Sequence, residues 1–460
     1  MLFTLLDIKY LTSKQGISNG VKEKIMLKEK IQRREAIVGV IGMGYVGIPL
    51  TLTFLNAGFT LLGFDIDKNK VTALNQGRSY IKQYPAKLFS QYRKKEKFSA
   101  TADFARLAEV DCIIICVPTP LTKMKDPDLT YIINTTQDIA KMLRKGQLVV
   151  LESTTYPSTT EELMLPKLEE KGLKVEKDFF LAFSPEREDP GTKNWKTTDI
   201  PKVVGGVGPK STEIAKELYQ SAIKRVVPVS SARVAEMAKL LENIYRSVNI
   251  ALANEMKIIA DRMGIDIWEV IEAASTKPFG FTPFYPGPGL GGHCIPIDPF
   301  YLSWKVREFN LTTRFIELAG EINTRMPEYV VAKSIDALNL QNKPLSESTV
   351  LVLGVAYKKD IDDMRESPAL EIIKLFQEKG ATVLYNDPFF DKIPLVRKGR
   401  FNLKSEGLTE KLLQKVDCVV ITTAHSCYDY KWIVKHASLV IDTRNATRDV
   451  REGRKKIFKA

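Results

Sequence analysis

The segment IVGVIGMGYVG, residues 37–47, decides the fold of this chain. Its first five residues form a short apolar run, which is typical of a buried strand in a parallel sheet. A GxGxxG pattern follows with Gly42, Gly44 and Gly47, and residues 48–57 then have the spacing of a helix. Glycines at these positions permit a tight turn, close approach of the backbone to a diphosphate, and close helix–strand packing. The segment therefore predicts a strand–turn–helix unit that binds a dinucleotide; a glycine turn without a ligand is the alternative.

An acidic residue stands where such a unit needs one. A second apolar run covers Thr60–Phe64, and Asp65 follows it, 18 residues after Gly47. A carboxylate at the end of this strand binds both ribose hydroxyls of the dinucleotide. A 2′-phosphate would meet a like charge there, so the sequence predicts NAD rather than NADP.

Further strand-like runs alternate with helical segments on the C-terminal side of the fingerprint. They cover Cys112–Val117, Leu148–Leu151, Phe179–Phe183 and Val203–Val204, and a second set covers Thr349–Leu353, Thr382–Tyr385, Asp417–Thr422 and Leu439–Ile441. Alternating strands and helices are typical of a doubly wound parallel sheet. We therefore expect an α/β fold with two Rossmann-like domains, the second of which lacks a glycine fingerprint.

A long helix is predicted between the two sets of strands, because residues 232–263 contain neither proline nor glycine. Apolar residues recur there at helical spacing: Val234, Met237, Leu241, Ile244, Val248, Leu252, Met256 and Ile259. One helix would span about 45 Å, more than the face of a small domain, so we expect a connecting and dimer-forming element. Two shorter helices joined by a kink are the alternative.

These patterns divide the chain into four parts. We expect an N-terminal extension over 1–35, an NAD-binding domain over 36–228, a central helical and dimerisation domain over 229–327, and a C-terminal α/β domain over 328–460. Binding of a UDP-sugar by this last domain is implied by the family resemblance described below. The extension lacks the basic start and cleavage region of a secretory signal, and Met26 is an alternative initiator.

Composition limits the possible functions. The 460 residues are 44% hydrophobic and 27% charged, as in soluble globular chains, and contain no run of about 18 apolar residues that would span a membrane. Five cysteines at irregular spacing argue against a disulfide framework and favour the cytoplasm. The net charge of +13 favours anionic partners such as phosphate-bearing small molecules, but no nucleic-acid-binding module is recognisable. With three histidines, we expect no metal site.

A second glycine-rich segment carries a candidate nucleophile. Residues 284–298 read FYPGPGLGGHCIPID, which places Cys294 in the loop and Asp298 four residues later. Backbone N–H groups of such loops bind phosphates. A cysteine in a polar loop is a candidate nucleophile, and a small packing residue is the alternative. For His293 a backbone or structural role is favoured.

Four other segments complete a family pattern: CVPTP at 116–120, SPE at 184–186, KLLEN at 239–243, and GVAYKKD at 354–360 continuing to RES at 365–367. With them the chain resembles the UDP-glucose/UDP-mannosaminuronate dehydrogenase superfamily from about Lys28 to Asn445. The finer pattern in residues 120–129 and 184–191 is similar to the bacterial UDP-N-acetylglucosamine 6-dehydrogenase branch.

The resemblance implies a four-electron oxidation of the C6 hydroxymethyl group of a UDP-hexose by two NAD⁺, for surface polysaccharide precursors. Cys294 would form a thiohemiacetal and then a thioester, and Asp298 would help to activate water. Lys239 and Asn243 would stabilise an alkoxide or oxyanion from one helix face; an exposed pair is the alternative. The resemblance further implies that Thr155 holds a catalytic water and that Glu186 handles water or protons.

Other positions are assigned to ligand contacts by the same resemblance. The cofactor residues are Gly42, Gly44, Tyr45, Val46, Gly47, Asp65, Lys70, Thr119, Thr155 and Arg365. The substrate residues are Glu186, Arg187, Lys239, Asn243, Tyr285, Gly289, Gly291, Lys358 and Arg444, of which Arg444 is expected to reach a neighbouring subunit.

Two departures from the family pattern bear on the sugar. Pro190 replaces a glutamate of UDP-glucose enzymes, and Ile297 replaces a lysine that many of them carry. A site with fewer charges suits an N-acetyl group, so we expect UDP-N-acetylglucosamine; UDP-glucose, UDP-N-acetylgalactosamine and UDP-N-acetylmannosamine are the alternatives. Enzymes of the β-hydroxyacid or 6-phosphogluconate type need neither Cys294 nor residues 349–445. An NAD-binding regulatory protein would not need the catalytic set. We expect a homodimer or a higher homo-oligomer.

Overall fold

Two sheets carry the fold, one of eight strands and one of five. The computed structural model describes residues 19–81, 84, 87–122, 124–187, 197–292, 294–394 and 401–460, with the side chains of 19–21 excepted. The chain divides into two units, Met1–Leu241 and Glu242–Ala460, and each contains one of the sheets.

The sheet of the first unit has the strand order β3-β2-β1-β4-β5-β6-β7-β8. Its strands are β1 Ile37–Ile41, β2 Thr60–Phe64, β3 Phe98–Thr101, β4 Cys112–Ile115, β5 Leu148–Leu151, β6 Phe180–Phe183, β7 Lys202–Gly206 and β8 Val226–Pro228. The strand order reverses between β1 and β4, because β2 and β3 follow β1 on one side and β4 to β8 continue on its other side. Such a switch point opens a crevice at the carboxyl ends of the strands, where α/β proteins bind ligands.

All neighbouring strands of this sheet are parallel except β6 and β7, which pair antiparallel. The described part of the segment between them, residues 184–187 and 197–201, contains the single 3₁₀ turn Thr197–Asp199. An antiparallel pair needs no crossover helix, whereas a parallel pair does. The expected parallel sheet is therefore confirmed for β1 to β6, while β7 and β8 run in the opposite direction.

Helices cover both faces of this sheet. They are Asn19–Gln32, Gly47–Asn56, Lys68–Asn75, Lys87–Lys94, Thr130–Met142, Leu165–Glu169 and Pro209–Gln220, with a 3₁₀ helix at Phe104–Glu109 and a π-helical turn at Thr159–Met164. Part of the N-terminal extension belongs to the fold, because Leu27 and Ile31 are buried in the core of this unit. The Lys30 ammonium also lies 2.9 Å from the Asp111 carboxylate.

The sheet of the second unit has the order β10-β9-β11-β12-β13 and is parallel throughout. Its strands are β9 Thr349–Leu353, β10 Thr382–Asn386, β11 Cys418–Ile421, β12 Val440–Asp442 and β13 Ile457–Lys459. Its helices are Ile267–Ser275, Asp298–Lys305, Arg314–Asn339, Pro368–Glu378, Glu410–Lys415 and Tyr430–His436, with 3₁₀ turns at Val306–Phe309, Leu345–Glu347 and Arg454–Lys456. The second α/β sheet that we expected is thus confirmed, while Pro327, our expected boundary, lies inside a continuous helix.

The predicted long helix is one helix, Ala232–Met263, and the kinked alternative is wrong. An ordinary surface helix buries its apolar face and exposes its polar face, and this helix does the reverse. Six of the eight apolar residues that predicted it are exposed, Leu241 by 63% and Leu252 by 54%. A row of polar residues is instead at most 6% exposed: Glu236, Lys239, Asn243, Ser247, Asn254 and Lys257, called the polar stripe below. Within the described ranges, no helix is both long and apolar enough to cross a membrane.

Candidate active site

The three glycines of the fingerprint lie at the carboxyl end of β1 and have three different surroundings. Gly42 has a φ of +94°, and a Cβ there would collide with the Cys116 carbonyl group. A Cβ on Gly47, which begins the helix Gly47–Asn56, would collide with the Gly42 carbonyl oxygen. A Cβ on Gly44 would meet no atom within 4 Å. The first and third glycines are therefore required by packing, and the second opens the backbone to a diphosphate.

Asp65 ends β2 beside the fingerprint. One carboxylate oxygen accepts a hydrogen bond from the Met43 amide at 3.0 Å, and the other accepts one from the Asp67 amide at 2.9 Å. Lys70 Nζ lies 3.2 Å from the same carboxylate, so two predicted cofactor residues are together. Tyr80, which we did not predict, donates its hydroxyl to the Met43 carbonyl oxygen at 2.5 Å. These groups would hold the adenosine ribose of NAD, and the open backbone at Gly44 would admit its diphosphate.

Two further segments lie at the same end of the sheet. Ser153 Oγ donates to the Val117 carbonyl oxygen at 2.8 Å, which joins residues 116–120 to residues 152–157. Thr119 and Thr155 are both buried. In the described part of the chain, the Thr155 hydroxyl has no hydrogen-bond partner. A buried hydroxyl without a partner costs about 1–3 kcal/mol, so this atom is suited to receive a water molecule or a ligand.

The backbone that follows Thr155 is held by Glu236 of the polar stripe. Glu236 accepts hydrogen bonds from the Ser158 amide at 2.6 Å, the Thr160 amide at 3.0 Å and the Thr160 hydroxyl at 2.7 Å. Ser158 has a left-handed φ of +84°. Burial raises the pKa of Glu236 to about 7, against the lowering effect of these three hydrogen bonds. The sequence pattern did not predict this contact.

Lys239 and Glu186, which we predicted as catalytic residues, are in contact. Lys239 Nζ donates to the Glu186 carbonyl oxygen at 2.5 Å and lies 3.6 Å from its carboxylate. Both side chains are nearly buried. The alternative of an exposed lysine is therefore wrong.

A cleft in the first unit connects the fingerprint with Glu186. It is lined by Val46, Leu50, Glu152, Glu186, Arg187, Thr197, Ile200, Lys202 and Ile223. The cleft contains a buried ion pair that we did not predict, in which Lys202 Nζ lies 2.7 Å from the Glu152 carboxylate. The other oxygen of Glu152 accepts a hydrogen bond from the Tyr219 hydroxyl. Tyr45, the residue after Gly44, packs against the core of the first unit. Arg187 donates a hydrogen bond to the Pro201 carbonyl oxygen at 2.8 Å.

Cys294, Asp298 and Asn243, three of the residues that we assigned to catalysis, are brought together in the second unit. The Cys294 carbonyl oxygen accepts hydrogen bonds from the Ile297 amide at 3.0 Å and the Asp298 amide at 2.8 Å. Asp298 then begins the helix Asp298–Lys305, and its carboxylate accepts from Asn243 Nδ2 at 2.6 Å. Asp298 and Asn243 are buried while Cys294 is half-buried, so the thiol is the accessible member of this group. An exposed Asn243 was the alternative, and it is wrong.

The glycine-rich loop lies directly on the segment that carries Lys358 and Arg365. The Gly292 amide donates to the Arg365 carbonyl oxygen at 2.9 Å. A Cβ on Gly291 would lie 2.6 Å from Tyr357 Cβ, so only glycine permits this approach. Lys358 follows Tyr357 and is half-exposed, while the Arg365 guanidinium binds the Asp363 carboxylate at 2.7–3.0 Å. A contact of Arg365 with the cofactor stays a prediction.

Arg444 lies against this loop within its own chain. Its Nε donates to the Thr422 carbonyl oxygen at 3.0 Å, and a Cβ on Gly287 would lie 2.5 Å from the guanidinium. Desolvation lowers the pKa of Arg444 to about 10, so it is still a cation at neutral pH. The reach of Arg444 into a neighbouring subunit stays a prediction.

Two other predicted substrate residues have packing contacts. The Tyr285 ring is stacked on Trp268, with centroids 5.7 Å apart and planes 11° apart. A Cβ on Gly289 would lie 3.2 Å from Pro368 Cβ. His293 and Pro190, which our sequence analysis discussed, lie outside the described residues.

Comparison with known proteins identifies the family. The chain matches all three domains of the UDP-glucose/GDP-mannose dehydrogenase family. The NAD binding domain matches residues 36–223, the central domain matches 233–325, and the UDP binding domain matches 351–449. The chain is 37% identical over 354 residues to the UDP-N-acetyl-D-glucosamine 6-dehydrogenase of Pseudomonas aeruginosa, which is 76% of this chain and 82% of that protein.

Two more relatives cover nearly the whole chain. The NDP-N-acetyl-D-galactosaminuronic acid dehydrogenase of Ralstonia solanacearum is 33% identical over 416 residues, 88% of this chain and 95% of that protein. The solved structure of the UDP-D-ManNAc dehydrogenase of Pyrococcus horikoshii is 34% identical with a TM-score of 0.81, over 90% of this chain and 96% of that one. The family models and these relatives confirm the resemblance found in the sequence, and the chain is a member of the UDP-glucose/GDP-mannose dehydrogenase family, an NAD-dependent oxidoreductase of UDP-sugars.

Proposed function

We propose that this chain oxidises the C6 hydroxymethyl group of UDP-N-acetylglucosamine to a carboxylate, with reduction of two NAD⁺ to two NADH. The observation that carries the proposal is the half-buried Cys294 next to the buried pair Asn243 and Asp298. A second support is the hydrogen bond from the Gly292 amide in the Cys294 loop to the Arg365 carbonyl oxygen, in the segment that also carries Lys358. The proposed pathway is the supply of uronic-acid precursors for surface polysaccharides, and a cytoplasmic location stays a prediction.

The reaction needs a sequence of four events at C6. The hydroxyl loses its proton and C6 loses a hydride, which gives an aldehyde. The Cys294 thiolate adds to this aldehyde and forms a thiohemiacetal, so the aldehyde does not escape. Loss of a second hydride gives a thioester, and water then releases the acid and the thiol. NAD, when bound, accepts one hydride in each oxidation.

The polar residues have separate roles in this proposal. The Lys239 ammonium stabilises the alkoxide of the first oxidation, because a preorganised cation in a buried site favours developing negative charge. Asn243 and Asp298 act together through their hydrogen bond, with Asp298 orienting and activating water for thioester hydrolysis. Thr155, whose buried hydroxyl is suited to a ligand, holds a water molecule, and Glu186 receives protons beside Lys239.

The choice of an N-acetylated sugar rests on two supports. Ile297, which replaces a family lysine, is buried beside Asp298 and brings no charge to the site. The relatives from Pseudomonas aeruginosa, Ralstonia solanacearum and Pyrococcus horikoshii are all named for N-acetylated sugars. UDP-N-acetylmannosamine is the second candidate, because of the last of these structures.

A panel of UDP-sugars tests the substrate. We expect kcat/KM for UDP-N-acetylglucosamine to exceed that for UDP-glucose by about 10- to 200-fold, the range that one missing group in a fitted pocket produces. The rate of NADH formation and the mass of each product are the measurements. A higher kcat/KM for UDP-glucose would contradict the assignment, and a preference for UDP-N-acetylmannosamine would favour the second candidate.

Asp65 is expected to determine the choice of dinucleotide. Asp65→Asn keeps an oxygen for the Met43 amide but removes the charge that repels a 2′-phosphate. We expect the ratio of kcat/KM for NAD⁺ to that for NADP⁺ to fall by about tenfold or more, since hydrogen bonds to charged groups contribute about 1.5–3 kcal/mol. The matched control is Asp67→Asn, because Asp67 caps the helix Lys68–Asn75 and asparagine is an equally good cap. An unchanged ratio would remove Asp65 from the cofactor site.

The exposed apolar residues of the long helix are proposed to form a homodimer interface. Leu252 and Met256, one turn apart, are 54% and 39% exposed, and burial of apolar area stabilises association. Light scattering at micromolar concentration is expected to show a dimer or larger oligomer, and Leu252→Glu to weaken it. Glu255→Gln, an exposed change on the same helix, is the control. A wild-type monomer with full activity would contradict the proposal.

The division into functional parts is proposed in the same way. Residues 36–228 would bind NAD, 229–327 would supply the thiol and the subunit contacts, and 328–460 would bind UDP. The extension 1–35 would stabilise the first domain through Leu27 and Ile31, both buried.

A further inference from the structure

Two buried asparagines connect the Cys294 loop to the long helix. The Gly287 amide donates to Asn254 Oδ1 at 2.9 Å, Asn254 Nδ2 donates to Asn323 Oδ1 at 2.8 Å, and Asn323 Nδ2 donates to the Ser247 carbonyl oxygen at 3.1 Å. Asn254 is fully buried and Asn323 is 3% exposed. We call Asn254 and Asn323 the amide relay.

The direction of the relay is fixed by its two ends. It begins at a backbone N–H, which can only donate, and ends at a backbone carbonyl oxygen, which can only accept. Turning either side-chain amide would bring two donors or two acceptors face to face. A buried polar group without a partner costs about 1–3 kcal/mol, so one arrangement is strongly preferred. The relay therefore sets the position of Gly287 rather than simply filling space.

The loop is also held at its other end by the same helix. Asn243 binds Asp298, and it precedes Asn254 by eleven residues, about three helical turns. Both asparagines belong to the polar stripe, so one rigid face holds the loop at Gly287 and at Asp298. Cys294 lies between these two points. A Cβ on Gly289 would come within 3.3 Å of the Asn323 carbonyl oxygen, so the loop lies close to the relay.

We propose that Asn254 and Asn323 are positioning residues, which hold the Gly287–Cys294 loop so that the thiolate can attack the C6 aldehyde. The inference rests on the proposed function. It extends that function because neither asparagine takes part in the reaction sequence. The first oxidation does not involve the thiol, while the second does, because hydride then leaves from a thiohemiacetal carbon. Loss of the relay therefore impairs the second oxidation more than the first.

The test uses Asn254→Leu and Asn323→Leu in the full-length chain. Leucine has as many side-chain heavy atoms as asparagine but no polar group. At position 254 it leaves the Gly287 amide without its acceptor, and at position 323 it leaves Asn254 Nδ2 without its acceptor. We expect acid formation to fall by about 10- to 100-fold, the scale of a misplacement of about 1 Å. NADH formed per sugar consumed should fall from two towards one, and hydroxylamine should trap the aldehyde as an oxime detected by mass.

Controls separate positioning from stability. Asn249→Leu removes an exposed asparagine hydrogen bond of the same helix, from Asn249 Nδ2 to the Tyr245 carbonyl oxygen, and it should leave the NADH ratio at two. Asn254→Asp keeps the acceptor for Gly287 but loses the donor to Asn323, and it tests the same point if the leucine variants do not fold. We expect a smaller loss of acid and a smaller drop in the ratio. Thermal unfolding confirms that each variant is folded.

The outcomes distinguish this inference from the proposed function. Suppose that the wild type forms two NADH per sugar. If every folded relay variant then also forms two, with acid formation near the wild-type rate, the inference alone is overturned. A wild-type ratio of one would overturn the proposed function and the inference with it. A wild-type ratio of two with released aldehyde in the relay variants supports both.

Discussion

Cys294→Ala is expected to lower steady-state formation of the sugar acid by roughly 10⁴-fold or more, the scale seen when a covalent nucleophile is removed. Without the thiol there is no thioester to hydrolyse, although trace aldehyde still forms because the first oxidation needs no cysteine. Binding of NAD and of the UDP-sugar should stay within about twofold, because we expect the loop at Gly287–Gly292 to contact phosphate through its backbone, which the substitution retains. Acid is measured by mass, and binding by calorimetry.

Alkylation gives an independent measurement of the same thiol. Burial raises the pKa of the Cys112, Cys116 and Cys418 thiols, which makes them slow to react. Cys427 is exposed, so Cys427→Ala removes the competing site and is also the matched control for activity. Iodoacetamide should inactivate this variant, and saturating UDP-sugar should protect it. Acid formation near the wild-type rate in Cys294→Ala would instead make Cys294 a packing residue.

Lys239→Met is expected to lower kcat by about 10²- to 10⁴-fold, the range for loss of a proton-transfer or oxyanion-stabilising group. Methionine retains most of the buried aliphatic stem but removes the ammonium that contacts Glu186. Because the alkoxide develops only during the reaction, KM for the UDP-sugar should change little. Initial rates and the melting temperature are measured together.

Lys257→Met is the matched control on the same helix. Lys257 is 1% exposed and donates to the Asp261 carboxylate and to the Lys459 carbonyl oxygen. Removing it should lower the melting temperature, because it leaves Asp261 with fewer partners, but should preserve kcat of the folded enzyme. An equal loss of kcat in both variants would contradict a role of Lys239 in the reaction, because loss of any buried ammonium from this helix would then have the same effect.

The strands that were predicted correctly are those buried on both faces. Ile37–Ile41, Thr60–Phe64, Leu148–Leu151 and Thr349–Leu353 have the predicted bounds, because a central parallel strand is an unbroken apolar run. The strands that were missed have weaker patterns. Phe98–Thr101 lies at a sheet edge and is buried only at alternate residues, and Ile457–Lys459 is half-buried throughout. Edge strands carry less apolar sequence, so periodicity alone does not identify them.

The site was predictable where its residues are close in sequence. Cys294 and Asp298 are joined through one turn of backbone, and the family pattern supplied Asn243. Glu236, Asn254 and Asn323 were missed because their partners lie far away in the sequence, 76 or 78 residues for Glu236 and 69 for the pair of asparagines. Residue spacing does not show which distant group a side chain meets.

One signal for these residues was present in the sequence. The polar stripe repeats at helical spacing along the long helix, beside the apolar residues that drew our prediction. An amphipathic pattern gives two faces but does not say which one is buried within the chain. Here the polar face is buried within the chain and carries Glu236, Lys239, Asn243 and Asn254, while much of the apolar face is exposed.

The number of NADH molecules formed per molecule of sugar acid tests the central claim most directly. The measurement follows absorbance at limiting UDP-N-acetylglucosamine with excess NAD⁺, and quantifies the product by mass spectrometry. A four-electron oxidation that retains the aldehyde on Cys294 predicts two NADH per acid, with no free aldehyde trapped by hydroxylamine. One NADH per sugar, with the aldehyde as the final product, would contradict it.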